Sequence, residues 1–202
     1  MSVYQEQWDP KFRALLQDYD FIRLKNLSNT IYGIWADFTY AYLNRGWFEF
    51  AHANGGDPEI CEEWGLGRNL LDAISDDLQP YYRRHYQESL VENRVWEHEY
   101  ECSSNCLYRI FRQSAYPLSG QGLLLVNALI IEEPHSRIAL YPDAEEQLGY
   151  YDNHGYAHQC CHCRKTQSMT DRKRWDWIPD WVEHPPRNTS HGLCPVCFNY
   201  YY

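Results

Sequence analysis

Two Cys-x-x-Cys pairs constrain this chain more than any other feature of its sequence. Cys160 and Cys163 form the first pair, and Cys194 and Cys197 form the second, with 30 residues between Cys163 and Cys194. Each pair can form a tight turn that directs two sulfur atoms to one point, and two such turns complete a tetrahedron of ligands. Zinc favours this arrangement in structural sites. The spacing therefore predicts that the four cysteines hold a structural zinc ion.

The residues around these pairs leave the ligand set open. Cys161, His162 and His191 could each replace one thiolate. We take the four regularly spaced cysteines as the ligands, with His191 and His162 as hydrogen-bonding partners that orient them or as alternative ligands. An iron–sulfur cluster also uses four cysteines, and two redox or disulfide pairs are a further alternative. The segment between the pairs is longer than in a compact zinc ribbon, so we expect it to contain additional structure.

Composition and charge limit the function classes that the chain fits. With 202 residues, of which 44% are hydrophobic and 16% aromatic, it suits one ordinary domain and a small appendage. The net charge of −10 argues against nucleic acid and anionic membranes as partners. The sequence contains neither an apolar run of about 18 residues, as a membrane span needs, nor the pattern of a signal peptide. Together with eight cysteines in metal-like spacing, these features predict a cytoplasmic protein.

Short β runs and helical segments alternate between residues 28 and 133. The predicted order is β-β-α-α-α-β-β-β, which indicates an α+β fold with a five-stranded antiparallel sheet and helices on one face. Asn44 is predicted to cap the first of these helices, which stops at Asn54-Gly55-Gly56. A single amphipathic helix is predicted earlier, over residues 10–27. The strands are predicted at 31–36, 39–43, 95–101, 106–118 and 122–131.

Three segments of this region give it a family resemblance. They are Gly33-Ile34-Trp35-Ala36-Asp37, Phe50-Ala51-His52-Ala53-Asn54-Gly55-Gly56 and Gly67-Arg68-Asn69-Leu70. With the order of elements, they resemble a PAS domain of bacterial signalling proteins. The segment Ser190-His191-Gly192-Leu193-Cys194-Pro195-Val196-Cys197 resembles a tail that follows PAS domains or histidine-kinase modules in some of these proteins.

The helical spacing, the resemblance and the cysteine pairs together predict four parts. They are an N-terminal amphipathic helix at 1–27, a PAS-like domain at 28–133, a connector at 134–158 and a zinc-ribbon-like module at 159–202. The chain differs from the family pattern because it has no recognisable kinase, cyclase or DNA-binding output.

A sensory PAS fold commonly encloses a ligand between its sheet and its helices. The resemblance therefore implies a candidate pocket, in which His85 is the helix histidine placed to meet a haem iron. Haem or flavin is the less favoured occupant, and we prefer the alternative that these side chains fill the core. The candidate pocket residues are Trp35, Trp47, Tyr82, His85 and Phe111.

No recognisable nucleophile–base pair, phosphate-binding loop or open metal motif is found, so the chain is not expected to be an enzyme. Glu101 is interpreted as a solvated charge at a strand end, and Cys61, Cys102 and Cys106 as free thiols, with a redox switch of Cys102 and Cys106 as the alternative. The predicted function is a sensory, regulatory or protein-interaction module with a structural zinc site, which binds a protein partner or self-associates through residues 10–27. The alternatives are a redox- or metal-responsive switch at the four cysteines and a structural subunit of a larger assembly.

Overall fold

The chain folds into two compact units of mixed helix and strand, which confirms the α+β class. The computed structural model describes residues 6–56, 60, 63–104, 106–134, 148–178 and 180–202. The first unit comprises Met1–Glu99 and Arg112–Leu129, and the second comprises Tyr100–Phe111 and Ile130–Tyr202. Cys61 and most of the predicted connector lie outside the described residues. None of the described helices is long and apolar enough to cross a bilayer.

Most of the first unit is built on a six-stranded antiparallel sheet of order β1-β3-β2-β6-β5-β4. Five strands were predicted; the sixth is β1, whose two residues are too few to show any periodicity. It pairs with β3 through Gln7 opposite Leu43 and Trp8 opposite Tyr42. The elements are β1 (Gln7–Trp8), α1 (Pro10–Leu15), α2 (Phe21–Asn26), β2 (Thr30–Trp35), β3 (Tyr40–Leu43), α3 (Arg45–Ala53), a 3-10 helix (Leu70–Ala73), α4 (Gln79–Glu92), β4 (Trp96–Glu101), β5 (Leu107–Pro117) and β6 (Gly122–Pro134).

The prediction that helices cover one face of the sheet is wrong, because both faces are covered. Successive residues of a strand point to opposite faces. On one face, Ile31 packs with Phe12 of α1 in a buried apolar cluster. On the other, Gln113 of β5 donates to Tyr32 and accepts a hydrogen bond from Tyr86 of α4. Burial on both sides explains why β2 and β3 carry apolar residues at almost every position.

The predicted single helix over residues 10–27 is also wrong. The chain forms two short helices, and each has its own aspartate cap. Asp9 accepts a hydrogen bond from Lys11 N at 2.7 Å, and Asp20 accepts one from Arg23 N at 3.0 Å. Asp20 starts the second helix, because its side chain satisfies the N–H of Arg23. Most of the apolar face of these helices packs within the first unit, and a role in self-association stays a prediction.

Asn44 caps α3 as predicted, and the helix has Asn54 as its C-cap. The Asn44 side chain is fully buried. Its Oδ1 accepts hydrogen bonds from Trp47 N at 2.9 Å and from Ile31 N at 3.0 Å. One side chain therefore fixes the start of α3 against the start of β2.

The second unit contains a four-stranded sheet of order β10-β7-β8-β9. Strands β7 and β10 are parallel, and the other pairs are antiparallel. A small buried cluster of Tyr150, Ala157, Ile178 and Trp181 forms a core. The segment between the two cysteine pairs contains three strands and a helix, as its length predicted. The elements are a 3-10 helix (Leu148–Tyr150), β7 (Ala157–Cys160), β8 (Thr166–Gln167), β9 (Trp175–Asp176), α5 (Asp180–Glu183), β10 (Thr189–Gly192) and α6 (Pro195–Tyr201).

Candidate metal centre

The four predicted cysteines meet at one buried point of the second unit. The sulfur atoms of Cys160, Cys163, Cys194 and Cys197 all lie within 4.8 Å of one another. The Sγ atoms of Cys163 and Cys194 are 3.8 Å apart. This group of four sulfurs, called the metal centre below, could hold a metal ion. The prediction that the two pairs converge is confirmed.

The first cysteine pair lies in a turn between β7 and β8. Arg164 N donates to the carbonyl oxygen of Cys160 at 3.0 Å, and Cys160 N donates to Lys165 O at 2.8 Å. Arg164 has a φ of 60°, in the left-handed region, which lets the chain reverse so sharply. Cys161 N donates to Gly192 O at 2.7 Å. This bond extends the parallel pairing of β7 and β10 and brings the second pair alongside the first.

The second cysteine pair begins helix α6. Cys194 is the N-cap residue, and its Sγ accepts a hydrogen bond from Cys197 N at 3.5 Å. Pro195 occupies the first helical position, where its missing N–H costs no hydrogen bond. One helical turn places Cys197 above Cys194, so both sulfurs face the first pair.

Mutual hydrogen bonds shift the pKa values of the four thiols in opposite directions. A bond with Cys163 lowers the pKa of Cys160 to about 6, and a bond with Cys160 lowers that of Cys194. Bonds with Cys160 raise the pKa values of Cys163 and Cys197. A divalent cation at this point would replace the shared protons, because thiolates are the form that binds metals.

The two histidines that were predicted as partners or alternative ligands lie in different surroundings. His162 Nδ1 lies 3.5 Å from Cys197 Sγ, and its Nε2 is hydrogen-bonded to the Tyr201 hydroxyl. Burial lowers the pKa of His162 to about 4, so the ring is neutral near pH 7. His191 is exposed on β10. Within the described part of the chain, neither histidine belongs to the group of possible ligands.

Glu101 is a neighbour of the metal centre that the sequence analysis missed. It was interpreted as a solvated charge, but its Oε1 accepts hydrogen bonds from Trp177 Nε1 at 3.2 Å and from Ser103 Oγ at 3.0 Å. Burial raises its pKa, and the charge of Cys160 adds to this effect. Lys165 acts in the opposite direction. No sequence signal marks Glu101 as a neighbour of the metal centre, because Trp177 and Cys160 lie far from it along the chain.

The remaining described cysteines lie outside the metal centre. Cys102 and Cys106 form no disulfide, as predicted. Burial raises the pKa of the Cys102 thiol, whereas Cys106 is exposed.

The predicted pocket residues occupy several packing environments. Trp35 packs against the apolar cluster beneath α1, and Trp47 is buried in α3. Phe111 belongs to the second unit, where its ring stacks on Tyr100 with centroids 5.7 Å apart. These positions fit core packing, and a shared ligand pocket stays a prediction.

Tyr82 and His85 lie in one aromatic cluster of the first unit. Their common neighbour is Trp96, whose ring stacks on His85 with centroids 4.8 Å apart and on His98 with centroids 4.3 Å apart. Tyr82 OH is 3.0 Å from His98 Nε2, and His85 Nδ1 is 3.1 Å from Glu88 Oε2.

Comparisons of the chain with models of known protein families and with curated proteins find no match. The geometry of the metal centre and the topology of the first unit therefore carry the functional argument.

Proposed function

We propose that this chain is a non-enzymatic regulatory or protein-interaction module, with a PAS-like first unit and a second unit stabilised by structural zinc. The observation that carries the proposal is the convergence of four buried sulfurs within 4.8 Å. Four protein ligands close a tetrahedral site, whereas a catalytic zinc keeps one position open for water or substrate. A site of this composition serves to hold the fold together.

Sulfur spacing and ligand type favour a single zinc ion. Zn–S bonds of about 2.3 Å in a regular tetrahedron place the sulfurs about 3.8 Å apart, and the Sγ atoms of Cys163 and Cys194 have this separation. An iron–sulfur cluster inserts several atoms between its cysteines and therefore needs more widely spaced sulfurs. Thiolates are soft ligands, which select zinc over magnesium or calcium.

The first unit supports the PAS-like part of the proposal through its topology. After β1, α1 and α2, the hairpin of β2 and β3 is followed by helices, and β4, β5 and β6 complete the sheet with β6 beside β2. Gln113 also donates to Asn127 at 3.0 Å, so hydrogen-bonded side chains fill space between the sheet and α4. This filling favours a binding or regulatory role without haem or flavin.

Metal analysis and an absorption spectrum of one untagged sample test the proposal. We expect one zinc per chain, no visible absorption band, and loss of second-unit structure when a chelator removes the metal. Cys197→Ala should lose most of the zinc. Cys106→Ala, which changes an exposed cysteine outside the metal centre, should retain it. A visible band from haem, flavin or an iron–sulfur cluster would contradict the proposal, as would metal-free protein with an intact second unit.

We propose first that the chain associates with a second copy of itself. The alternative is that it is a subunit of a larger assembly. Light scattering over a range of concentrations separates them. A concentration-dependent dimer supports self-association, whereas a monomer that co-purifies with a stoichiometric partner supports the subunit role.

A further inference from the structure

Two strands of the first unit's sheet end in the second unit. Strands β4 and β5 are neighbours in the six-stranded sheet, but Tyr100–Phe111, the end of their hairpin, belongs to the second unit. Within this segment, called the hairpin end below, Cys102 N donates to Arg109 O at 3.1 Å and Ser104 N donates to Leu107 O at 2.9 Å. The boundary between the units therefore crosses both strands, and the hairpin end packs with the unit that contains the metal centre.

One hydrogen bond joins the hairpin end to a segment far along the chain. Trp177 Nε1 donates to Glu101 Oε1 at 3.2 Å, across 76 residues of sequence. Ser103 Oγ donates to the same carboxylate oxygen at 3.0 Å and accepts a hydrogen bond from Arg109 N at 3.1 Å. The Trp177 side chain is buried and shields this bond from water, which strengthens it. Glu101 therefore anchors the hairpin end to Trp177.

Trp177 is held in place by short elements that start at the metal centre. It directly follows β9, which pairs with β8 through Trp175 opposite Gln167. Strand β8 pairs with β7, and β7 ends at Cys160. Strands β8 and β9 have two residues each, too few to be stable on their own. The position of Trp177 therefore depends on the metal ion that we assign to Cys160 and the other three cysteines.

We propose that the hairpin end is a metal-dependent segment, which is anchored through Glu101 while the metal centre is loaded and detaches when the metal is lost. This inference rests on the proposed structural zinc and gives the metal centre a regulatory output. Phe111 of the hairpin end is 4% exposed, and its ring stacks on Tyr100. Detachment exposes these two rings and so changes the apolar surface that the chain offers to a partner.

Hydrogen bonds within the first unit set the limit of this detachment. In β4, His98 Nε2 lies 3.0 Å from Tyr82 OH. In β5, Gln113 Nε2 donates to Tyr32 OH at 3.1 Å. Both bonds are buried, and all four residues belong to the first unit. The parts of β4 and β5 that precede Tyr100 and follow Phe111 therefore stay ordered without the metal.

Hydrogen exchange of the full chain, followed by mass spectrometry of its peptides, tests the proposal on zinc-loaded and chelator-treated protein. Amides of residues 100–111 should exchange roughly tenfold faster, or more, after zinc removal, whereas those of 94–99 and 112–118 should change by less than about twofold. An equal rise in all three segments would overturn the inference. Residues 148–202 report on the zinc in the same sample. If they exchange faster and residues 100–111 do not, this inference alone fails; if neither region responds, the proposed function fails with it.

Substitutions in the zinc-loaded protein test the anchor itself. Trp177→Phe and Glu101→Leu each remove the hydrogen bond from one side, and each should raise exchange in the hairpin end roughly tenfold at unchanged zinc content. Glu101→Gln should stay within about twofold of the wild type, because its amide oxygen can accept the indole N–H.

Trp175→Phe is the matched control for Trp177→Phe. It removes from β9 an indole N–H that has no hydrogen-bond partner in the described part of the chain, so exchange in the hairpin end should stay within about twofold of the wild type. No rise with Trp177→Phe, or an equal rise with Trp175→Phe, would contradict the role of Glu101 as the anchor.

Discussion

Replacement of Asn44 by alanine is the perturbation whose cost follows most directly from the structure. The amide lies where α2, β2 and α3 meet. Its Nδ2 donates to Asn29 O at 2.9 Å, to Leu27 O at 3.3 Å and to Leu24 O at 3.4 Å. Its Oδ1 accepts from two backbone N–H groups. Alanine removes all five interactions and leaves the backbone groups buried.

Two contributions set the size of the expected loss. Removal of an asparagine N-cap costs roughly 0.5–2 kcal/mol. The buried Ile31 N–H, which loses its acceptor, adds roughly 1–3 kcal/mol. We therefore expect Asn44→Ala to lower the free energy of unfolding by about 1.5–5 kcal/mol, a substantial part of the roughly 5–15 kcal/mol that is typical of a domain.

Urea denaturation followed by tryptophan fluorescence and circular dichroism measures this loss. Asn54→Ala is the matched control, because Asn54 lies at the opposite end of α3 and its side-chain bond to Phe50 O is exposed; its cost should stay within about 0.5 kcal/mol. Asn44→Asp should be at least as damaging as Asn44→Ala, since a carboxylate would face three carbonyl oxygens. A cost for Asn44→Ala below about 1 kcal/mol would refute the view that Asn44 joins these three elements.

Substitutions at Gly33 and Glu101 and the titration of Asp152 test other contacts. Gly33→Ala should destabilise the first unit by roughly 1–3 kcal/mol in thermal unfolding, because the added Cβ would overlap the Phe12 ring; an unchanged melting temperature would contradict this. Glu101→Leu should cost roughly 1–2 kcal/mol because Trp177 loses its indole acceptor. Glu101→Gln should be neutral or stabilising at pH 7. Burial raises the carboxyl pKa of Glu101, so the folded wild-type protein becomes less stable as a rising pH ionises this group. Equal losses in both variants would argue against the hydrogen bond to Trp177. Hydrogen bonds from a histidine and from backbone N–H groups lower the pKa of Asp152 from 3.8 to about 2. The contribution of Asp152 to stability is therefore present above about pH 4 and is lost as pH falls toward 2. An NMR titration midpoint near 4 for Asp152 would contradict this prediction.

Short-range signals in the sequence predicted most of the first unit. The cap at Asn44 and the apolar run of β6 depend on residues that are neighbours along the chain, so the pattern contains the information. The single helix over 10–27 failed because periodicity alone does not register a competing cap, and Asp20 starts a second helix there. Leu129, Ile130 and Ile131 of β6 are apolar and are nevertheless 41–47% exposed. The pattern of apolar residues along a strand does not show how far the neighbouring strands and helices extend.

Contacts between distant segments were not predictable in the same way. The cysteine spacing predicted convergence, since metal ligands carry a fixed geometry in their chemistry. The parallel pairing of β7 with β10 has no local signature. The orientation of His162 was equally hidden, because its sequence position beside the first cysteine pair fits a ligand or a donor equally well. Its contact with Tyr201 favours the donor role, and that contact spans 39 residues of chain.

The small elements of the second unit explain why a metal centre suits it. Strands β8 and β9 have two residues each, and α5 has four, so none of them can form a stable structure alone. The buried cluster of this unit contains only four side chains among the described residues. Apparent free energies of structural zinc binding reach about 10–16 kcal/mol, more than so small a core supplies. Loss of one thiolate would therefore remove much of what holds this unit folded.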